Sequence, residues 1–189
     1  MKLLNPDSES LHKPLPTFDD SQLKDYGYKT RQELVDDMFK FMAKAGGIGL
    51  TANQVGINLN MFVLGGHPSI EDGLKLACFN PVIVSMSQEK VKMKEGCLSY
   101  PFIFLNIERS RKCVGKYEDA DGELKEAHLD GYMSRIFQHE YEHTQGKSMI
   151  DGVSKFRFDL AKKKAEKLAT KHARELQRIK REKDDKSDI

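Results

Sequence analysis

The chain has 189 residues, of which 39% are hydrophobic and 32% are charged, and its formal net charge is +2. This composition predicts one globular domain with an appendage, and the small net charge excludes the strongly basic character of a dedicated DNA-binding protein. The sequence shows no apolar secretory segment and no run long enough to cross a bilayer, so we expect no membrane attachment. Its three cysteines are too few and too scattered for a disulfide framework, which favours a reducing compartment.

The first half of the chain changes from an irregular arm to a helix and then to strands. Residues 1–29 are rich in Pro, Ser and Asp and predict an arm. Thr30 and Glu33 predict a capping box at the start of a helix that Gly46 and Gly47 should end. Short apolar runs then predict strands at 61–64, 75–79, 82–86, 89–93, 112–117 and 124–128.

The second half of the chain predicts two helices. One covers residues 132–145 and is ended by Gly146, and the other runs from about 158 to 182 with a narrow, Ala-rich apolar stripe. Residues 158–189 carry 11 Lys or Arg against 7 Asp or Glu. This basic end hints at an anionic partner, although a solvated helix face is the more common explanation of such a run. We therefore divide the chain into a domain at 1–157 and a charged helical extension of that domain at 158–189.

The pair His139 and His143 is the strongest chemical signal in the sequence. One helical turn separates the two imidazoles, so they can bind one metal ion while Glu140 reaches a water beside it. Metal binding needs imidazoles that are oriented by hydrogen bonds, and Gln138 and Glu142 are candidates for that role. The alternative is a pair of ordinary surface histidines on an exposed helix.

Cys97 is a candidate third ligand, because it lies in a turn-like segment between Gly96 and Pro101. A thiolate and two imidazoles would leave one open position for water on a tetrahedral metal. This donor set favours Zn²⁺ or Fe²⁺ over Mg²⁺ or Ca²⁺. The alternative is that Cys97 is a small buried apolar residue.

A glycine-rich segment supplies a further element. Glycines at 46, 47 and 49 allow main chain to approach a ligand closely, and Gln54 offers an amide donor for an oxyanion. Read in isolation, this segment is also compatible with a simple turn that follows a helix.

Three segments together resemble the motifs of peptide deformylases in order and spacing. They are Gly-Ile-Gly-Leu-Thr-Ala-Asn-Gln at 47–54, Glu-Gly-Cys-Leu-Ser at 95–99 and Gln-His-Glu-Tyr-Glu-His at 138–143, and the resemblance covers roughly residues 30–160. It implies an α+β fold with mixed or antiparallel sheets around a central metal-binding helix that carries HExxH, followed by a basic C-terminal helix. It also implies a metal-dependent hydrolase that removes the N-formyl group from the initiator methionine of newly made polypeptides.

The resemblance further implies a role for each residue of the site. Cys97, His139 and His143 would bind one divalent metal ion, which is Fe²⁺ in the family, with Zn²⁺ or Ni²⁺ as alternatives. Metal-activated water would attack the formyl carbonyl with Glu140 as general base and acid. Gln54 and the Leu98 N–H would form the oxyanion hole. The substrate-binding residues would be Gly47, Ile48, Gly49, Gly96, Tyr100 and Ile136.

This chain differs from the usual family motifs at three positions. Thr51 stands where Ala is usual, and Glu142 and Thr144 stand where Asp and Leu are usual. Glu142 keeps the charge with one more methylene group, and Arg109, which matches a family arginine, is its candidate partner beside the metal ligands. Thr51 is nearly isosteric with Val, which keeps the packing plausible.

Two other functions remain open from the residues alone. A zincin-type metallopeptidase would take its third ligand from Glu166, although neighbouring lysines indicate a solvated helix there. A non-catalytic zinc module that binds RNA or the ribosome through its basic helix would need a fourth ligand, and Cys113 and His128 lie in a predicted hairpin. For the deformylase reading we expect nascent N-formyl-Met chains as substrate, a ribosome contact through the C-terminal helix, and the cytoplasm of a bacterium or a phage-infected cell.

Overall fold

The computed structural model describes residues 1–67, 70 and 73–187, with side chains described up to residue 179. Its helices are α1 (Arg31–Lys44), α2 (Gly131–Thr144) and α3 (Lys155–Ser187). Its strands are β1 (Gly49–Thr51), β2 (Met61–Gly65), β3 (Lys75–Met86), β4 (Lys90–Cys97), β5 (Tyr100–Ser110), β6 (Lys112–Glu118) and β7 (Leu124–Asp130). Short 3₁₀ helices at Glu9–His12, Asp20–Tyr26 and Ala52–Val55 complete these elements.

The strands form two antiparallel sheets. The larger sheet has the order β1-β2-β3-β6-β7, and β4 and β5 form a separate two-stranded sheet. All the ladders among the described residues are antiparallel. The predicted α+β class with a C-terminal helix is therefore confirmed. In chain order the β4–β5 hairpin lies between β3 and β6, which are neighbours in the larger sheet. Cys97 is the last residue of β4.

Two short strands predicted at 75–79 and 82–86 form one continuous strand, β3. Pro81 lies between them and has no N–H to give to a ladder, and the register with β6 shifts between Phe79 and Val82. Asn80 takes a positive φ of 48° at this irregularity, and its side chain bonds both the N–H and the carbonyl of Phe18. A bulge of this kind is where a proline can be tolerated inside a sheet.

Strand β5 was not predicted from the sequence. Pro101 and the positive φ of Phe102, 63°, make its beginning irregular, which obscures the regular alternation that follows. Farther along the strand, three alternate residues face the interior and pack β5 against a buried apolar cluster: Ile103, Leu105 and Ile107. The short strand β1 was also missed, because all three of its residues are buried and it shows no alternation.

Helix α2 lies in the interior and packs against the larger sheet. Its prediction at 132–145 is close to the observed bounds. Phe137 is fully buried, and its ring meets that of Phe62 edge-on at 5.1 Å between centroids. Gly115 of β6 leaves the space that this ring fills. Phe137 is therefore a core residue that fixes α2 against the larger sheet.

The N-terminal arm is tied to the body by both apolar and main-chain contacts. Leu11, Phe18 and Leu23 are buried. Leu4 N–H donates to the carbonyl of Gln54 at 2.9 Å, so the arm also holds the segment that follows β1. At α1, the Thr30 hydroxyl accepts from Glu33 N–H as predicted, but the Glu33 carboxylate accepts from Lys29 N–H instead of completing the capping box.

Helix α3 begins at Lys155 and not at about 158. Its first turns dock on β5, where Ala161 and Ala165 are buried and Phe158 meets Tyr100 edge-on at 6.4 Å between ring centroids. Its later apolar residues, such as Leu176, are exposed. None of the helices in the described residues is both long and apolar enough to cross a membrane.

The fit of α2 against the sheet gives a testable prediction. In Gly115→Ala, the new Cβ would lie 2.7 Å from Cε1 of Phe137, so the ring must shift in a fully packed core. We expect a loss of about 1–3 kcal/mol in the free energy of unfolding, measured by urea denaturation. The control is Gly152→Ala, whose Cβ would meet only Met149 O at 3.7 Å and which should change stability by less than about 0.5 kcal/mol. Equal stability of the two variants would contradict this packing.

Candidate metal centre and its cleft

Three chain segments meet at one end of a cleft of about 700 Å³. Helix α2 carries His139 and His143 on one face. The β4–β5 hairpin brings Cys97 opposite that face, and the segment from β1 into the 3₁₀ helix brings Gln54. The three sequence motifs are therefore adjacent in space although long stretches of chain separate them.

The donor atoms of Cys97, His139 and His143 lie within 4.8 Å of one another. Cys97 Sγ is 3.2 Å from His143 Nε2, and the two imidazole rings are 5.1 Å apart between centroids. Among the described residues, this is the one group of three or more possible metal ligands. A thiol and two imidazoles that converge in a buried place fit a soft or borderline divalent cation.

The thiol of Cys97 is prepared to ionise. Burial alone would raise its pKa, but the neighbouring imidazoles of His143 and His139 outweigh burial and hold the pKa of Cys97 well below its ordinary value. Because a thiolate is the form that binds metal, this environment favours the ligand state of the side chain. The two other cysteines are buried, and burial raises the pKa of both Cys78 and Cys113.

Glu95 orients His139, and the sequence reasoning did not identify it. Its Oε2 lies 3.0 Å from His139 Nδ1. A carboxylate can only accept, so Nδ1 carries the proton and Nε2 keeps its lone pair for a ligand. The position of Glu95 two residues before Cys97 was the available signal. Gln138, which was expected to help, donates instead to the carbonyl of Ser110 at 2.8 Å.

Glu95 is also the centre of a buried ionic network. Arg109 Nε donates to Glu95 Oε1 at 2.7 Å, and Arg135 bonds the same oxygen. Arg109 also contacts Glu142 at 2.7 Å, which is the pairing expected from the sequence. Burial alone would raise the pKa of Glu95, but His139 and Arg109 lower it to about 2. The carboxylate is therefore ionised at any ordinary pH, and it holds both arginines beside the candidate metal ligands.

Glu140 lies beside the imidazoles and is only 4% exposed. The Thr51 hydroxyl donates to Glu140 Oε2 at 2.7 Å. A Cβ at Gly49 would lie 2.8 Å from Glu140 Cδ, so this glycine makes room for the carboxylate. Burial raises the pKa of Glu140, against the opposing effect of the imidazoles of His139 and His143. A raised pKa favours a carboxyl group that both takes up and releases a proton during a reaction.

Gln54 is buried and is fixed at both ends of its amide. Its Oε1 accepts from Thr51 N–H at 2.8 Å, and its Nε2 donates to Ser99 Oγ at 2.9 Å. Nε2 also lies 3.4 Å from Cys97 Sγ, so the donor end of the amide points toward the candidate metal ligands. Ser99 and Thr51 were not assigned these contacts from the sequence.

The cleft wall contains all six residues that the resemblance assigned to substrate. Leu98 lines it and lies close to Gly47, where a Cβ would come within 2.7 Å of Leu98 Cδ1. Arg109, Glu142 and His143 stand behind this wall, whereas Glu140, Cys97 and His139 reach it. The assigned substrate residues that line the cleft are Gly47, Ile48, Gly49, Gly96, Tyr100 and Ile136.

The residues required by the two alternative functions lie elsewhere. Glu166 is exposed on α3 and is not part of the ligand group. Cys113 is buried with its thiol near the carbonyl of Ser134, and His128 pairs with Glu126 at the surface. The ligand group therefore has three protein donors in the described chain, which agrees with an open site and not with a closed structural zinc site.

Comparisons with known proteins agree with this geometry. The profile of the polypeptide deformylase family matches residues 3–159. The peptide deformylase of Thermotoga maritima is 38% identical over 159 residues, which cover 83% of this chain and 87% of that protein. The Bartonella tribocorum peptide deformylase is 39% identical over 140 residues, which cover 73% and 79%. A crystal structure of peptide deformylase from Ehrlichia chaffeensis superposes with a TM-score of 0.77 at 31% identity, covering 92% and 98%.

The fold and the cleft are those of a metal-dependent hydrolase with a Cys and two His as candidate ligands. The chain belongs to the peptide deformylase family. The family and the enzyme class that the three motifs indicated are thereby confirmed. The family is metal-dependent, and the chain retains a donor set that suits such an ion.

The role of Glu95 can be tested by removing its charge. In Glu95→Gln, buried Arg135 loses its carboxylate partner, Arg109 keeps only its pairing with Glu142, and His139 loses a carboxylate acceptor. We expect a loss of about 3–5 kcal/mol in the free energy of unfolding. We also expect the affinity for metal to be about 10–100-fold weaker. The measurements are urea denaturation and metal titration.

The matched control is Glu89→Gln, because Glu89 pairs with Arg111 at the exposed surface. That substitution should cost less than about 1 kcal/mol. If Glu95→Gln were as stable as Glu89→Gln and bound metal normally, the buried network would have no role in holding the site.

Proposed function

We propose that this chain removes the N-formyl group from the initiator methionine of newly made polypeptides by the following chemistry. The observation that carries the proposal is the convergence of Cys97, His139 and His143 beside the buried carboxylate of Glu140 at one end of an open cleft. That combination places three ligands, a proton acceptor and room for a small substrate group together. The family match supports the same reaction.

Cys97, His139 and His143 would hold one divalent ion. When bound there, such an ion supplies a Lewis acid and lowers the pKa of water toward neutrality. The thiolate makes the donor set soft enough for Fe²⁺, which we propose as the native ion, with Zn²⁺ and Ni²⁺ as alternatives. Glu95 supports this role, because it fixes the tautomer of His139 that leaves Nε2 free to bind.

Glu140 would move the protons. It takes a proton from the attacking water as the new C–O bond forms at the formyl carbon. It then gives that proton to the departing amine as the C–N bond breaks, and formate and a free N-terminus result. The raised pKa that burial gives Glu140 suits a group that acts as base and then as acid.

Gln54 and the Leu98 N–H would stabilise the negative oxygen that forms between these two steps. Gln54 Nε2 is directed toward Cys97 by its fixed amide, and Leu98 follows Cys97 directly at the cleft wall. Donors that are already in place cost no reorganisation when the charge develops.

The shape of the cleft supports a substrate with a small reacting group and an apolar side chain. Gly49 lines the cleft and has no Cβ, so the carboxylate of Glu140 can lie directly against the cleft wall, within reach of a small formyl group. Gly47 and Gly96 also line the cleft, where the side chains of Leu98 and Phe104 pack against them. Ile48, Tyr100 and Ile136 would contact the methionine side chain, and all three line the cleft.

The roles of the ligands and of Glu140 separate in one experiment. We expect Cys97→Ser and His139→Ala to lose tightly bound metal, because each removes a ligand. Glu140→Gln should keep its metal but lose turnover of formyl-Met-Ala-Ser by about 10²–10⁴-fold, because the proton carrier is gone. Metal content and formate release would be measured under nitrogen. A Glu140→Gln enzyme with normal turnover would overturn the proposed mechanism.

We further propose that residues 158–189 are a basic extension of the catalytic domain at 1–157 that brings the enzyme to ribosomal RNA in the cytoplasm. Lys167, Lys171, Arg174 and Arg178 lie along one side of the outer part of α3. The docked part, with Ala161 and Ala165 against β5, would hold that charged surface at a fixed position on the body. Formylated chains emerge from ribosomes, so such binding would raise the local concentration of substrate.

The test is to end the chain after Ala173, which retains the buried Ala161 and Ala165 and the contact of His172 with Phe102. Activity on a free formyl-peptide should survive within about twofold, since residues 174–179, the part of the removed segment whose side chains are described, are exposed. Ribosome affinity should fall, and its dependence on salt should become shallower because fewer phosphate contacts release counterions. Ribosome affinity and its salt dependence would be measured by co-sedimentation with ribosomes over a series of salt concentrations.

The control keeps the full helix and replaces Lys167, Lys171, Arg174 and Arg178 by Gln. It should reproduce the loss of ribosome binding without shortening the chain. If both variants bind ribosomes as the wild type does, the outer part of α3 is an ordinary solvated face.

A further inference from the structure

Thr51 is the position at which this chain departs from the usual first motif, and its hydroxyl touches the reacting group. Thr51 ends β1 and is fully buried. Its Oγ1 lies 2.7 Å from Glu140 Oε2 and 3.1 Å from the main-chain carbonyl of Glu140. A hydroxyl has one proton to donate, and a carboxylate is the stronger acceptor, so the shorter bond is the main interaction. An alanine here could not make it.

This bond leaves the two oxygens of Glu140 with different tasks. Oε2 is held by Thr51. In the described part of the chain Oε1 has no hydrogen-bond partner, and it lies against Gly49, which lines the cleft. The side chain is therefore confined between a glycine on one side and a hydroxyl on the other, and the oxygen beside the cleft is the one left to exchange a proton.

The same residue also fixes the amide of Gln54. Thr51 N–H donates to Gln54 Oε1 at 2.8 Å, so the amide cannot rotate without losing that bond. Its donor end then points toward Ser99 and Cys97. The main chain of Thr51 thus orients the oxyanion donor while its side chain orients the proton carrier.

We propose that Thr51 is a positioning residue that sets the carboxylate of Glu140 relative to Gln54. The proposal rests on the function proposed above for these two residues. Because the amide of Gln54 bonds the main-chain N–H of Thr51, a side-chain substitution leaves that bond in place while it removes the hydroxyl bond to Glu140. The two contacts can therefore be separated experimentally.

The test compares Thr51→Val, Thr51→Ser and Thr51→Ala on formyl-Met-Ala-Ser. Val keeps the shape and lacks the hydroxyl, so kcat should fall about tenfold while KM stays within about twofold, since positioning acts in the transition state. Ser keeps the hydroxyl and should retain kcat within about twofold, whereas Ala should resemble Val. Metal content should equal that of the wild type in all three, because none of them is a ligand.

The matched control is Thr144→Val. Thr144 is also fully buried, and it lies at the end of α2, but its hydroxyl donates to the main-chain carbonyl of Tyr141 at 2.7 Å. Its loss should leave kcat within about twofold of the wild type even if stability falls. An equal loss of kcat in Thr51→Val and Thr144→Val would contradict a special role for Thr51.

A double-mutant cycle on folding tests the contact independently of activity. In the wild-type background, Thr51→Val should lower the folding equilibrium constant about tenfold, because the buried carboxylate oxygen loses its donor. In a Glu140→Ala background the same change should alter it by less than about twofold. Equal effects in both backgrounds, or wild-type kcat in Thr51→Val, would overturn the proposal. An inactive wild type would instead contradict the proposed function, and the cycle would still report on the contact.

Discussion

The buried carboxylate of Glu95 is the interaction on which the rest of the site depends. It joins β4 to Arg109 of β5 and to His139 and Arg135 of α2, so one anion fixes three elements relative to one another. Removing such charges from water is costly, and the loss of one partner would leave the others buried without their counter-charge. Because Cys97 follows Glu95 by two residues on the same strand, the network that orients one ligand also places another.

The opposite wall of the site is built from main chain and small residues. Gly49 and Thr51 belong to a strand of three residues that lies directly against α2. Gly49 lets the Glu140 side chain lie against the main chain, and the Thr51 hydroxyl donates a hydrogen bond to the same carboxylate. The arm adds a further restraint, since Leu4 binds the carbonyl of Gln54. The ionic network around Glu95 thus positions the candidate ligands His139 and Cys97. On the opposite side, Gly49 and the hydrogen bonds of Thr51 position Glu140 and Gln54.

The spacing of residues along the sequence predicted the helices and the side chains that share one helix face. The spacing of His139 and His143 placed both on one face of α2, and the resemblance of three motifs brought in Cys97. Two important hydrogen bonds join residues that are far apart in sequence, so no local pattern predicts them. Glu95 and His139 are 44 positions apart, and Thr51 and Glu140 are 89 positions apart. Gln138 shows the same limit, because helical spacing gives the face of a side chain but not its neighbour across the core. Strand β5 was hidden by the irregular backbone at Pro101 and Phe102.

The missing Cβ at Gly49 has a consequence for inhibition. An enzyme commonly escapes an inhibitor by enlarging a side chain in the wall that the inhibitor contacts. At Gly49 any added atom would meet the carboxylate of Glu140 before it met a ligand in the cleft. Drug resistance through this wall would therefore displace Glu140, the residue proposed to carry the proton. A compound anchored against Gly49 leaves the organism that makes this protein few substitutions by which to evade it.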